Sequence, residues 1–258
     1  MIRNIGADAE KMIAGTARTR ELAGLPLGFG AFDITRMISH KIVLQPRRFL
    51  AARFRNRALG RLGAGPLAAV THLAQAVRRG PTATDVAVTE IAEFGRQFDE
   101  FWDRVCAGYE LIAVRDSRFL NWRFRECPTR AYTVLAAHRS GVLAGYVVVR
   151  IEEGEPLRRG FVVDMLAERR DRPVFNLLLA EAEAHFRTRG VDTATCTISR
   201  NPEFTDLLKR NGYLFTSPRA WITGHCGCQE AYAHLRQHFE HSTRLLMTRA
   251  DTDLDYNY

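Results

Sequence analysis

The stretch GFVVDMLAE, residues 160–168, is followed by RPVFNLLLAEAEAHFRTRG, residues 172–190, and then by VDTATCTIS, residues 191–199. The first piece is almost entirely apolar, which predicts a strand that is buried on both faces. The second has apolar residues on one helical face, a proline in its first turn and a glycine at its end. The third alternates as a strand does. Together they predict a parallel strand–helix–strand unit.

The flanking sequence extends this unit in both directions. Two β-branched runs, residues 131–138 and 142–151, surround Ser140 and Gly141 and predict a hairpin. NPEFTDLLKRNGYLF, residues 201–215, predicts a short helix and another strand. Upstream, the three- and four-residue spacing of apolar residues predicts a helix from Thr89 to Gly108. The predicted fold class is α/β (α+β), a mixed sheet with helices on both faces, preceded by a basic helical arm.

Positive charge is the clearest feature of the composition. The net charge is +8, and residues 34–84 contain no Asp or Glu at all. Within them, residues 45–63 have the pattern of a basic amphipathic helix, which predicts an anionic partner such as a membrane surface or an acidic polymer. We do not expect nucleic acid as the partner, because no zinc-finger spacing or RNA-binding motif accompanies the arginines. The alternative is a solvated helix packed on the main domain.

Composition also bounds the location and the domains. RRGPTATD, residues 78–85, interrupts the periodicity and predicts a linker between a basic arm, residues 1–84, and a main domain, residues 85–258. No run of about 18 apolar residues and no signal-peptide core is present. The five cysteines are an odd number, which argues against a disulfide framework. We therefore expect a cytoplasmic protein, and the alternative is peripheral membrane association through the arm.

Three motifs carry a resemblance to a known family. They are RDSRFLNWRF at residues 115–124, CPTRAY at residues 127–132 and LLMTRADTDLD at residues 245–255. With the predicted fold, residues 90–258 resemble the GNAT superfamily of acyl-CoA-dependent N-acyltransferases, and in particular the C-terminal half of bacterial tandem-GNAT proteins. Residues 25–50 are similar to the closing strands of the first repeat of such proteins, so the arm can be interpreted as a remnant of that repeat.

The resemblance implies a site for acetyl-CoA or another acyl-CoA. The thioester would lie against the central strand, and the pyrophosphate at the turn that opens the next helix. Here that turn has no glycine and contains Pro173, so arginine side chains would replace backbone donors. Leu208 stands where many members of the family have a tyrosine that protonates the departing thiolate. The expected cofactor-binding residues are Met165, Leu166, Ala167, Arg169, Arg170 and Arg172.

The stretch at residues 115–124 would form one wall of the acceptor cleft. The resemblance implies that Trp122 stacks on the acceptor, that Arg115 or Arg123 pairs with an anionic group, and that Asn121 lies beside them. The alternative is that the apolar residues of the stretch fasten the first helix to the sheet and the charged residues are solvated.

Asp164 is the candidate general base. An acid in an otherwise apolar buried strand needs a reason, and the acceptor amine must lose a proton during attack. The alternative is an outward-facing or hydrogen-bonded strand residue without a catalytic role.

A cluster of possible metal ligands lies near the end of the sequence. HCGC, residues 225–228, precedes His234, His238 and His241. The Cys-x-Cys spacing is not that of a zinc knuckle, and no second pair follows. We therefore expect a loop followed by exposed histidines, and no metal.

The sequence thus predicts acyl transfer from acyl-CoA to an amine. The acceptor classes that the resemblance implies are an amino sugar, a polysaccharide precursor and a peptide. The alternative is a catalytically inactive GNAT fold that acts as a binding or partner module, with a membrane surface among its candidate partners.

Overall fold

The computed structural model describes residues 2–3, 12–17, 31–53, 80–226 and 244–252. Within these ranges the strands are β1 (Ile2–Arg3), β2 (Met12–Ala17), β3 (Ala31–Val43), β4 (Val86–Ile91), β5 (Leu111–Ala113), β6 (Thr133–Arg139), β7 (Val142–Glu152), β8 (Arg159–Ala167), β9 (Thr193–Ser199), β10 (Leu214–Cys226) and β11 (Leu245–Leu246). The helices are α1 (Pro46–Arg53), α2 (Gln97–Val105), α3 (Ser117–Phe124), α4 (Arg172–Thr188) and α5 (Pro202–Arg210), with 3₁₀ helices at Cys106–Gly108 and Arg249–Asp251.

Eight strands form the main sheet, in the order β2-β10-β3-β9-β8-β7-β6-β4. Its neighbouring strands are antiparallel except for β8 and β9, which run parallel and are joined by α4. A smaller sheet has the order β1-β5-β11. The predicted mixed sheet and its parallel strand–helix–strand unit are confirmed.

Helices cover both faces of the main sheet, as two consecutive residues of β7 show. Gly145 faces α4, and a Cβ atom there would lie 3.1 Å from Leu178. Tyr146 faces the other way, and its ring lies 5.6 Å from the ring of Phe98 and 6.3 Å from that of Phe101 on α2. Because successive strand side chains alternate between faces, α4 and α2 lie on opposite sides. None of the described helices is long and apolar enough to cross a membrane.

The local turn and cap predictions hold. The β6–β7 hairpin turns at Ser140 and Gly141, whose φ angles of 50° and 81° belong to the left-handed region that short hairpin turns require. Helix α4 has its proline in the first turn. It is followed by Gly190 with φ of 69°, where the chain reverses towards β9.

The predicted helix from Thr89 to Gly108 is wrong at its start. Residues Val86–Ile91 form edge strand β4, which pairs antiparallel with β6, and α2 begins only at Gln97. Alternating Val86 and Val88 favour a strand, and the open edge of β6 offers it hydrogen bonds. Ile91 and Phe94 happen to fall at helical spacing from the true helix, which concealed the boundary.

The arm contributes strands to the main sheet. β3 lies between β9 and β10, and β2 pairs with the far edge of β10. The sheet therefore contains strands from both sides of the linker at residues 78–85. Of the basic helix expected at residues 45–63, Pro46–Arg53 is helical, and the remainder lies outside the described residues.

A buried histidine on β3 should make folding pH-dependent. His40 is 0 % exposed, opposite Cys196 of β9. Burial lowers the pKa of His40, and the charge of Lys209 lowers it further. Below about pH 6.5, the unfolded chain takes up a proton that the folded chain refuses, so stability falls. One such group contributes at most about 1.4 kcal/mol per pH unit.

We expect His40→Gln to flatten the decline in the free energy of unfolding between pH 7 and pH 5, measured by urea denaturation. His138→Gln is the matched control, because the His138 side chain is half-exposed on β6 and bonds Gln97 at the surface. An unchanged slope in His40→Gln would show that His40 is not the group that titrates.

Candidate functional site

The parallel strands β8 and β9 separate part of the way along their length. Their pairing runs from Arg159 and Thr193 to Val162 and Cys196, and the register ends there. Beyond this point β8 pairs only with β7 among the described strands. We call the space between the diverging ends of the two strands the strand gap.

A bulge at Val163 marks the start of the strand gap. Val162 lies opposite Val149, and Asp164 lies opposite Val148, so one extra residue stands between them. Opposed residues share a face, and Val148 and Val149 point to opposite faces. The bulge therefore turns Asp164 towards the α2 face, where Tyr146 also lies.

Asp164 is fully buried, with a carboxylate that accepts four hydrogen bonds. Arg115 donates from Nε to Oδ2 and from Nη2 to Oδ1, both at 3.2 Å. The hydroxyl of Tyr146 donates to Oδ2 at 2.9 Å, and that of Thr248 to Oδ1 at 2.7 Å. These four bonds fill the lone-pair sites of the carboxylate. In this arrangement the predicted base is held as part of a buried network.

Arg115 is the centre of that network. Its side chain is 0 % exposed, and Nη2 also lies 2.5 Å from Oδ2 of Asp251. Nη1 donates to the carbonyl oxygen of Ala113 at 2.8 Å. Burial alone would lower the pKa of Arg115, but the charges of Asp164 and Asp251 outweigh it and raise the pKa. The guanidinium therefore stays charged and pairs with two carboxylates of the protein.

Thr248 and Asp251 belong to a segment that enters the strand gap. We call residues 245–252 the gap segment. Its first residues form β11, parallel to β5, and Thr248 forms an antiparallel bridge with Ile198 of β9. Thr248 and Asp251 then form a capping box around the final 3₁₀ helix.

Cys196, the last residue of β9 that pairs with β8, has a buried thiol. Burial raises the pKa of Cys196 to about 12, and the negative charge of Asp164 adds to this effect. The thiol is therefore protonated near neutral pH and is not suited to act as a nucleophile.

The expected cofactor-binding residues fall into two groups. Met165, Leu166 and Ala167 are buried on β8 beyond the last pair with β9. Arg169 pairs with Glu203 of α5 at 3.1 and 2.6 Å, and Arg172 lies 3.3 Å from Asp206. Arg170 is exposed at the surface of the turn. Two of the three arginines therefore face carboxylates of the protein itself.

The first turn of α4 already holds a carboxylate. The N-cap Asp171 accepts a hydrogen bond from the backbone N–H of Val174, and its other oxygen accepts one from Arg139 at 2.8 Å. Pro173 has no N–H to offer. The usual anion site at a helix N-terminus is therefore filled by the chain's own side chain.

A small pocket adjoins this turn. It encloses about 230 Å³ of empty space, open mouth included, and is lined by Arg169, Arg172, Phe175, Glu203, Phe204 and Leu207. Burial raises the pKa of the nearby Tyr109, and the positive charges of Arg169 and Arg115 partly oppose this rise. The Tyr109 phenol is thus within electrostatic reach of the arginine turn and of the buried network.

Three of the four expected acceptor residues, Arg115, Asn121 and Arg123, bond other parts of the protein. Asn121 bonds the backbone of Phe94 in both directions, at 2.9 and 3.1 Å. Arg123 is buried and donates to the Tyr132 hydroxyl at 3.2 Å. Trp122 is 60 % exposed on α3. Among the four, only Trp122 presents its side chain to solvent.

Sequence reasoning missed several partners of this site. Tyr146, Thr248 and Asp251 complete the network around Arg115, and Glu203 pairs with Arg169. The motif at residues 245–255 did contain two of them, and its Thr and Asp spacing was the available signal. In the described ranges no group of three or more His, Cys, Asp and Glu is arranged to hold a metal. Residues 227–243 lie outside those ranges.

Comparison with known proteins finds similarity in structure alone. No family model and no curated protein matches the sequence. Solved structures that match include Saccharomyces cerevisiae N-myristoyltransferase with bound myristoyl-CoA and inhibitors (TM-score 0.54, 10 % identity, 83 % of this chain and 52 % of that chain). A probable N-acyltransferase from Enterococcus faecalis matches with a TM-score of 0.52 and 10 % identity, over 86 % of this chain and 46 % of that one. A GCN5-related N-acetyltransferase from Anabaena variabilis matches with a TM-score of 0.51 and 12 % identity, over 83 % and 45 %. The chain spans about half the length of each.

Proposed function

We propose, on the premise that the chain has the fold of the GNAT superfamily, that it transfers an acyl group from acyl-CoA to an amine. The observation that carries the proposal is the strand gap, where β8 leaves β9 just after the bulge at Val163. The gap would give a thioester arm a place beside a strand edge once the gap segment no longer fills it. Support for the co-substrate comes from the N-myristoyltransferase of the same fold, whose structure holds myristoyl-CoA.

The reaction would proceed by direct attack. The amine nitrogen forms a bond to the acyl carbon, the carbon–sulfur bond breaks, and the sulfur leaves as CoA thiolate. The nitrogen loses a proton to a base, and that proton ends on the thiolate. We propose Asp164 as the base, in a state in which at least one of its oxygens is released from the network.

The phosphates of CoA would be held by side chains. Asp171 caps α4 and Pro173 lacks a donor, so the backbone offers little at this turn. Arg169, Arg170 and Arg172 supply positive charge there, and arginine can hold two phosphate oxygens at once. Arg169 and Arg172 would exchange carboxylate partners on α5 for phosphate.

We expect Arg170→Ala to weaken CoA binding by about 1.5 to 3 kcal/mol, the range for a charge-assisted hydrogen bond. Calorimetry with CoA and acetyl-CoA measures this, and affinity should also fall as salt rises. Arg96→Ala is the matched control, because Arg96 is an exposed arginine before α2. If neither CoA nor acetyl-CoA binds folded wild-type protein at millimolar concentration, the transferase proposal is wrong.

The acceptor is proposed only as a class. An exposed Trp122 on α3 suits stacking against a sugar ring or a peptide. We therefore propose an amino sugar, a polysaccharide precursor or a peptide amine as the acceptor, and acetyl-CoA or another acyl-CoA as the donor.

A second candidate is a catalytically inactive module that binds a partner. The four hydrogen bonds to the Asp164 carboxylate and the Asp171 cap on α4 favour it, because both leave the expected catalytic groups engaged. The two candidates differ in whether acyl-CoA binds at all.

A further inference from the structure

We propose that the gap segment, residues 245–252, occupies the strand gap and excludes the thioester arm of acyl-CoA until the segment is displaced. This inference rests on the proposed function, because it concerns the same gap.

The segment is bound to the β9 side by its backbone. The N–H of Ser199 donates to the carbonyl of Met247 at 2.8 Å, and the N–H of Met247 donates to the Ser199 hydroxyl at 3.1 Å. The bridge between Ile198 and Thr248 continues this contact. The segment therefore uses the edge of β9 that β8 leaves beyond Cys196.

The segment is bound to the β8 side by side chains. Thr248 donates to Asp164 at 2.7 Å, and Asp251 receives the 2.5 Å contact from Arg115. All four side chains are buried. The segment thus contacts both strands that border the gap. Arg115, from the turn before α3, binds both Asp164 of β8 and Asp251 of the segment.

Displacement would also change Asp164. Without the segment, Oδ1 loses the hydrogen bond from Thr248, while Tyr146 and Arg115 still hold the other contacts. One movement would therefore open the gap and release a lone pair of the proposed base. A ligand that binds only the open state has its apparent affinity reduced by the small fraction of molecules that are open.

The test uses Asp251→Asn in the full chain. This change keeps the size of the side chain but removes the charge that Arg115 holds, and Arg115 keeps Asp164 as its partner. We expect amide hydrogen exchange of residues 245–252 to become about ten- to a hundredfold faster, and acetyl-CoA affinity to rise by a similar factor. Adenosine 3′,5′-bisphosphate, which lacks the thioester arm, should bind both proteins equally.

Two controls make the outcome decisive. Thr248→Val is the substitute variant if Asp251→Asn does not fold. It removes the hydroxyl that bonds Asp164, and we expect it too to speed amide exchange and to raise acetyl-CoA affinity. Asp85→Asn changes an exposed acid that pairs with Arg139 and should alter neither measurement.

The proposal is overturned if exchange in the segment does not accelerate, or if it accelerates without a gain in acetyl-CoA affinity. It is also overturned if wild-type protein binds acetyl-CoA more tightly than the bisphosphate while the segment stays protected, and the transferase proposal then stands. If neither protein binds acetyl-CoA once the segment is loosened, both proposals fail.

Discussion

Arg115→Ala is expected to lower the free energy of unfolding by about 3 to 5 kcal/mol, the range for removing one partner of a buried ion pair. The variant would leave the carboxylates of Asp164 and Asp251 buried without the cation that they share. Urea denaturation measures the loss. The effect should exceed that of a lost neutral hydrogen bond, because two charges remain uncompensated.

Arg118→Ala is the matched control for Arg115→Ala. Arg118 lies three residues further along, but its side chain is exposed on α3, and we expect a change within about 0.5 kcal/mol. A loss below 1 kcal/mol in Arg115→Ala would mean that water or a rearranged segment readily replaces the guanidinium.

The aromatic residues of α3 should separate into two classes. Phe124 is buried, with ring centroids 5.1 Å from Tyr132 and 6.2 Å from Phe94, and Phe124→Ala should cost about 3 to 5 kcal/mol. Trp122 is exposed, and its ring centroid lies 5.8 Å from that of Phe119. Trp122→Ala should therefore lower the free energy of unfolding by less than about 1 kcal/mol. Denaturant curves of the two variants, measured side by side, test this contrast.

A Trp122→Ala variant as unstable as Phe124→Ala would mean that Trp122 fastens α3 to the sheet, as the alternative interpretation of the sequence held. A stable variant leaves Trp122 available for an acceptor. Phe119→Ala serves as the intermediate control, because Phe119 is half-buried beside Trp122.

The local parts of the fold could be predicted because each has its own chemical pattern. Ser140 and Gly141 supply the turn that a tight hairpin needs, and Pro173 and Gly190 mark the ends of α4. The position of β3 could not be predicted in this way. A strand finds its neighbours through backbone hydrogen bonds that any sequence can make, so the pattern of β3 does not name β9 and β10 as its partners.

The candidate site was partly predictable for the same reason. Asp164 stood out as an acid in an apolar strand and Arg115 as part of the motif at residues 115–124, and the structure places the two in contact. Their contact joins positions 49 residues apart, and that of Arg115 with Asp251 joins positions 136 apart. Contacts between residues so far apart along the chain leave no periodic pattern in the sequence. The sequence therefore marked the residues, but it did not indicate that Arg115 contacts Asp164 and Asp251.

The placement of β3 affects the order in which the chain can assemble. During synthesis from the N-terminus, β3 ends at Val43, whereas β9 begins only at Thr193 and β10 at Leu214. Until those strands emerge from the ribosome, β3 has neither of its sheet neighbours, and both of its edges are open. Such long-range pairing slows folding, because a large loop must close before any hydrogen bond rewards it. In a nascent chain with this topology, both edges of β3 therefore stay open at least until β9, Thr193–Ser199, has been synthesised.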